Sequence, residues 1–472
     1  MVILALIIGI IFAGVAEGSW RVVKIGTCPT TGAEEIEVVK GRNDGKNRVY
    51  VVTMGGGIYE WTYSGGNWSY EAIFSGAPRF IPLGVGYGRG DNINRLYIGE
   101  WGYGGIKEAS FSGSSWTNQY VSNTVGSVLC VRVGDGRDDN IMRLYAGGQY
   151  FGLYEYTRTG STWNLGIIDG APTIGTLDIG DGRNDGKNRI YAPDRFGPVY
   201  EYTWSGSSFN QVVITVPQQN IVGVAVGQGR SDETNRIYAS RENGHLYELT
   251  YSSGIWQYVD MTPSGPNKSH YGIRVDRMRS DGKYRVYTTT QGGAVTEFSW
   301  NGSAWKDSVV DAVSGATACL DIGVGRNDDT FRIYATNYQT GGVYEFTNTS
   351  PYGVAEESQN SKFKTQKLEA YPNPFVQRTV IRVQGLGISE TQSPIPNLQL
   401  LIYDLAGRRI KHWDLEFPDP SRVGTGGNCD FHEVVWDGTD DLANRVKTGI
   451  YWCRLEADGR IKGYKKLILI GG

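Results

Sequence analysis

The stretch Gly182–Tyr191, GRNDGKNRIY, places a carboxylate and a glycine among polar residues, the residue types of a loop that wraps a cation in oxygen ligands. Calcium takes about six to eight oxygens, largely carboxylates and carbonyls. This loop offers one carboxylate, Asp185, with Arg183 and Arg189 on either side of it. Those residues suit a different chemistry, bidentate guanidinium–carboxylate hydrogen bonds that tie a loop down. A brace, and no metal, is the expectation.

The same loop heads seven units, beginning at Gly41, Gly88, Gly136, Gly182, Gly229, Met278 and Gly325. Its first arginines, Arg42 to Arg326, lie 46 to 49 residues apart. That period suits a four-stranded propeller blade. In the fourth unit, TLDIGDG, RIYAP, PVYEYTWSG and SFNQVVITV read as four short strands separated by Gly, Asn, Asp and Ser turns. A second element, typified by SGGNW, precedes the fourth strand and ends at Trp68, Trp116, Trp163, Phe209, Trp256 and Trp305. The seventh unit lacks it, while EGSWRVVKI carries Trp20 at the same phase, one period ahead of Trp68. The N-terminal segment is therefore expected to supply the outer strand of the last blade and close the ring, which leaves no open edge. The expected fold class is all-β, a seven-bladed β-propeller over residues 17–348.

Each unit also repeats a third-strand glutamate, from Glu60 to Glu345, so two arginines face two carboxylates per unit. Symmetric repetition of this kind reads as stability, because an active site places unlike groups together once. Function is expected where the copies differ, in the loops joining second to third strands and blade to blade. The ligand-binding candidates there are Trp101, Tyr103, Tyr150, Phe151, Arg195, Phe196, Arg241, Asn243, His270, Tyr271 and Tyr338. Aromatic rings beside Asn, Gln and Arg suit sugar rings with hydrogen-bonding groups around them, and equally a peptide or protein. The four histidines, His245, His270, His412 and His432, show no metal or triad spacing, and no catalytic residue or cofactor is expected.

A net charge of −3 over 472 residues, with no long basic run, argues against nucleic acid as a partner. Residues 2–16, VILALIIGIIFAGVA, form an apolar run of signal-peptide length with Gly14 and Ala16 placed for cleavage, although no Lys or Arg precedes it. Export is expected, from residues 1–16. The five cysteines match no zinc pattern and are too few for a disulfide scaffold; Cys429 and Cys453 share a region and a pairing between them stays open. Residues 349–366 read as a polar linker, and 367–472 as alternating strands of an Ig-like sandwich.

Two resemblances follow from these residues. VAVGQG, LDIGDG and the following Asp-Gly turn resemble the FG-GAP and VCBS-type repeats of seven-bladed propellers, with arginines at positions where that pattern holds calcium ligands. Tyr371-Pro372-Asn373-Pro374-Phe375, Tyr403-Asp404 with Gly407-Arg408, Trp436-Asp437-Gly438, Gly449-Ile450-Tyr451 and Arg454-Leu455 resemble the type A C-terminal sorting domain of the type IX secretion system. That resemblance implies export, recognition by outer-membrane secretion machinery, and a secreted or surface location. It departs from the family in longer loops around Thr391 to Asn397 and Pro418 to Asn428. The combined expectation is a monomeric, surface-displayed propeller that binds glycan or another surface polymer. A polysaccharide-active hydrolase or lyase, and a structural or adhesive protein without a small ligand, are the alternatives.

Overall fold

The computed structural model describes residues 19–75, 79–102, 105–123, 126–217, 220–242, 244–262, 270–279, 281–349, 367–384, 398–404, 409–415, 431–457 and 460–470. The chain divides into two compact units, Met1–Val354 and Ala355–Gly472. The export segment, Tyr103, Asn243, Cys429, Gly407 and Arg408 lie outside the described residues, as do the two longer C-terminal loops.

The described residues of the first unit form seven four-stranded antiparallel sheets, the repeated sheets of a β-propeller. In the fourth, Asp178–Gly180, Arg189–Pro193, Val199–Trp204 and Phe209–Ile214 pair in chain order. The last sheet draws on both ends of the unit, since Trp20–Thr27 pairs with Gly342–Asn348 in a register that sets Trp20 opposite Asn348.

Packing explains both recurring elements. A Cβ on Gly182 would lie 2.7 Å from the Tyr191 hydroxyl, so the glycine that opens the loop is what lets the second-strand tyrosine fill the interior. Tyr191 is fully buried and meets Trp256 of the next sheet edge-on, ring centres 6.0 Å apart. Tyr50 with Trp116, Tyr97 with Trp163, and Tyr238 with Trp305 repeat that contact, and Tyr334 with Trp68 carries it from the seventh sheet to the first. Trp20 performs the same role against Tyr287. Edge-on pairs of this kind add about 0.5–1.5 kcal/mol each beyond the area they bury.

The arginines are braces. In every unit the second arginine donates to both oxygens of the loop aspartate, at 2.6 to 2.9 Å, from Arg48 on Asp44 to Arg332 on Asp328. The first arginine donates through Nε to the third-strand glutamate of its own sheet at 2.7 to 3.0 Å. Those glutamates are almost wholly buried, so the guanidinium supplies the counter-charge that a buried carboxylate needs. In six of the seven units the flat face of the same arginine covers an aromatic ring of the following sheet, as Arg137 does on Trp204 at 3.9 Å and Arg230 on Trp300 at 3.7 Å. One residue thus ties the loop both to its own sheet and to the neighbour.

The second unit has a three-stranded sheet, Lys367–Tyr371, Thr379–Gln384 and Phe431–Trp436, and a four-stranded sheet, Arg409–Asp414, Leu398–Tyr403, Gly449–Ala457 and Arg460–Leu469. Both contribute to one core around Trp436. The family-like residues are structural there. Phe375 and Tyr451 pack edge-on against Trp436 at 5.4 and 5.1 Å, Asn373 accepts from the Ile468 amide, and Arg454 lies over Tyr403 at 4.4 Å. Cys453 is buried within that core.

Candidate functional site

The first strand of each sheet carries side chains that the repeat does not conserve. Five residues before the first arginine of each loop stand Glu37, Gly84, Arg132, Asp178, Ala225, Arg274 and Asp321. A β-bulge interrupts this strand in the first unit, where the register slips between Ala33 and Ile36, and likewise in the second, third, fifth, sixth and seventh units. A bulge re-aims side chains that a regular strand would send to opposite faces. Consecutive residues at the slip, Glu34 and Glu35 in the first unit and Ala318 and Cys319 in the seventh, consequently line the same cavity.

That cavity is a cup of about 650 Å³ bounded by first strands from five units and by second-to-third-strand loops. Its floor is a layer of unlike charges. Arg132 Nη1 reaches to 3.5 Å from Glu37, and Arg274 donates through Nε to Asp321 at 3.1 Å while its Nη2 stands 3.7 Å from both Glu35 and Glu37. Arg132 and Arg274 line the cup and also a smaller cavity of about 190 Å³ whose lining includes Glu37 and Asp178, so the layer separates two spaces. Gly84 keeps its position in the layer open, because a Cβ there would lie 2.9 Å from the Val131 carbonyl oxygen.

Burial between the walls and the neighbouring Asp321 carboxylate hold the Glu37 carboxyl above its ordinary range. Burial does the same for Asp178, whose Oδ2 accepts from the Val226 amide at 2.8 Å. Glu34 is pushed up to about 7 by burial and then by Glu35. The Cys319 thiol, raised by burial, donates to Glu35 Oε1 at 2.9 Å.

Of the candidates read from sequence, Trp101, Arg195, Tyr271 and Tyr338 line the cup. Trp101 also carries Arg79 over its ring at 5.0 Å. Tyr150, Phe151 and Phe196 are exposed and lie outside the lining. Tyr150 has a left-handed backbone, φ 63°, a strained state for a non-glycine residue, and its amide donates to Thr173 Oγ1 at 3.3 Å. The Arg195 amide donates to the Thr173 carbonyl at 2.8 Å, so one residue anchors both loops. Arg241 is half-buried, is not among the lining residues, and donates its amide to the His245 carbonyl. Tyr103 and Asn243 lie outside the described residues, and for His270 only the backbone, the first residue of the strand His270–Asp276, is described.

No protein-family model matches the chain, and no curated protein matches it. Its likenesses are to solved structures. BBS1N in complex with ARL6DN is 14% identical over 71% of this chain and 99% of that one, with a TM-score of 0.47. YCF48 bound to D1 peptide is 12% identical over 71% and 96%, at 0.48. The β-propeller domain of Cps50 (Swd1) from Myceliophteria thermophila is 8% identical over 69% and 99%, at 0.47.

Sequence reading missed the charged layer and the two glutamates of the bulge. The signal was present, a charge at one fixed phase of the repeat in five of seven units, on the strand that should be the most apolar. Among the described residues no group of three or more His, Cys, Asp or Glu side chains is placed to hold a metal ion. The cup instead offers what a polar ligand needs: ring faces, amide side chains in Gln291 and Gln339, carboxylates and guanidinium groups in one concavity.

Proposed function

We propose that this is an exported binding protein whose repeated sheets close into a seven-bladed propeller of FG-GAP/VCBS type. The ligand, a glycan or another surface polymer, enters the cup from the loops joining second to third strands. One observation carries this reading: the cup is where a sevenfold repeat is broken, with aromatic and charged side chains of unlike kind converging on one space. Tyr150, Phe151 and Phe196, exposed on loops of the third and fourth units, supply apolar ring faces for further sugar units. The second unit serves as an Ig-like sorting domain for the type IX machinery, and the mature protein is secreted or displayed on the outer membrane. The family-like residues that build its core support that role.

A glycan array probed with the full chain and with its Trp101→Ala and Tyr338→Ala variants tests the binding role. Retention of a defined set of glycans by the parent, weakened in both variants, is expected. Equal retention by all three proteins sinks the assignment of the cup, and shortened products in the same incubations make the protein an enzyme. Retention of a fusion carrying residues 355–472 inside the cell of a type IX-competent host would overturn the sorting role.

A further inference from the structure

We propose that the wall of the cup at Glu34 and Glu35 takes a cationic group, the ammonium of an amino sugar, an inference that rests on the glycan reading above. In formal charge the cup and its floor hold more carboxyl groups than guanidinium groups. Two guanidinium groups, Arg132 and Arg274, serve the carboxylates of Glu35, Glu37 and Asp321; Arg274 bonds Asp321 at 3.1 Å, Arg132 reaches Glu37 at a long 3.5 Å, and Glu35 stands 3.7 Å from Arg274. Asp321 takes a further donor from the Val38 amide and Asp178 one from the Val226 amide. At the rim, Arg195 and Glu242 offset one another in formal charge.

Glu34 is left over. Its side chain lines the cup and, among the described residues, makes no hydrogen bond or ion pair, while its backbone carbonyl accepts from Thr336 Oγ1 at 3.2 Å. The bulge sets Glu35 beside it, and Glu35 already shares Arg274 with Glu37. Carboxylates gathered in a half-buried recess attract a cation more strongly than the same groups would on an open surface. Trp101, Tyr271 and Tyr338 in the same lining present rings on which a pyranose stacks and toward which a cation is drawn.

The protonation of the wall gives the inference a second signature. Burial and Glu35 place the Glu34 carboxyl at about 7, so a bound ammonium expels a proton from it at neutral pH. Glu37 and Asp178, also held above their ordinary range, face the same guanidinium groups and add to that release.

The test is calorimetric titration of the full chain at about pH 7, where Glu34 is about half ionised and an amine is still largely charged. The probes are β-1,4-linked glucosamine hexasaccharide, its fully N-acetylated counterpart, and a lysine-containing peptide. We expect the free-amine sugar to bind at least about tenfold more tightly than the acetylated one, with protons released to buffer. Glu34→Gln should bring the two sugars level at an unchanged melting temperature, since no contact holding the fold is lost. Equal binding of both sugars by the parent overturns the cationic site and leaves the glycan reading standing. Glu34-dependent binding of the peptide with neither sugar bound overturns both in favour of a protein partner. Binding of none of the three, by a chain that melts cooperatively, overturns the amino sugar and weakens the glycan reading until the array is positive.

Discussion

Arg326 of the seventh unit lies over the ring of Tyr63 in the first, its guanidinium carbon 4.5 Å from the ring centre and Nη1 donating to the phenol oxygen at 3.2 Å. These residues are 263 positions apart, and they make the same contact as Arg183 and Tyr251 within the chain. Asn327 and Asn47 bond reciprocally beside them, at 2.6 and 3.0 Å. The junction of the two ends therefore uses the same parts as the internal junction between the fourth and fifth units, where Asn184 and Asn235 also bond reciprocally, apart from the strand Trp20–Thr27 borrowed from the N-terminus.

Glu345 is the buried centre of that junction, fully buried and accepting from Arg326 at 2.8 Å and from the Tyr334 hydroxyl at 3.0 Å. Removing one partner of a buried ion pair leaves the other charge uncompensated, at a cost of about 3–5 kcal/mol. Glu345→Gln should lower the unfolding free energy by that amount, read as a lower urea midpoint at constant slope. A shift near zero would mean that the charge is not what holds the junction.

Asp185→Ala removes the acceptor of two Arg189 hydrogen bonds, leaving those to Thr203 and the Lys187 carbonyl. The carboxylate is 45% exposed, so solvent screening limits the loss to about 1 kcal/mol. A melting temperature a few degrees lower is expected, and an unchanged one would remove the brace from the account of stability.

Acid should weaken the ring. The hydrogen bonds from Arg48 and Arg189 hold Asp44 and Asp185 at about 2, below an ordinary aspartate near 3.9. Asp91, Asp139 and Asp232 are lowered by the same kind of bond. A carboxyl with a depressed folded value stabilises fully above its unfolded value, and that stability disappears as pH falls through the folded one. Unfolding midpoints measured from about pH 5 to pH 2 should fall, most steeply below about pH 4.

The charged layer has the opposite sign. Glu37 is held above its ordinary range by burial and by Asp321, so its folded form binds a proton more tightly than the unfolded chain does. Stability from that proton is complete below the unfolded value, near 4.3, and is lost as pH rises through the folded value. Glu37→Gln keeps the shape without the titration. The variant should lose less stability than the parent between about pH 6 and pH 9, and parallel curves would show that Glu37 does not titrate with folding.

Much of this molecule is legible before folding is considered. Alternation along TWSG-type strands, the Asp and Gly turns, and the phase of Trp20 specify four-stranded sheets and the origin of the last outer strand, because these are consequences of local backbone preference and of period. The brace is equally local: Asp185 and Arg189 are four residues apart and meet through one turn. Of the candidate ligand residues, Trp101, Arg195 and Tyr338 stand on variable loops and Tyr271, expected in a loop, stands in the strand His270–Asp276; all four line the cup.

What sequence alone could not supply is the meeting of Glu34 and Glu35 with Arg132, Arg274 and Cys319. These residues come from four units, and strand periodicity assigns Glu34 and Glu35 to opposite faces. Only a bulge aims both into one cavity, and only the arrangement of sheets carries Arg132 across to Glu37, 95 residues away. The sequence by itself determined the repeating sheets and their braces, through interactions between near neighbours. The tertiary structure decided the cup, because its charges interact through space enclosed by strands that no local rule brings together.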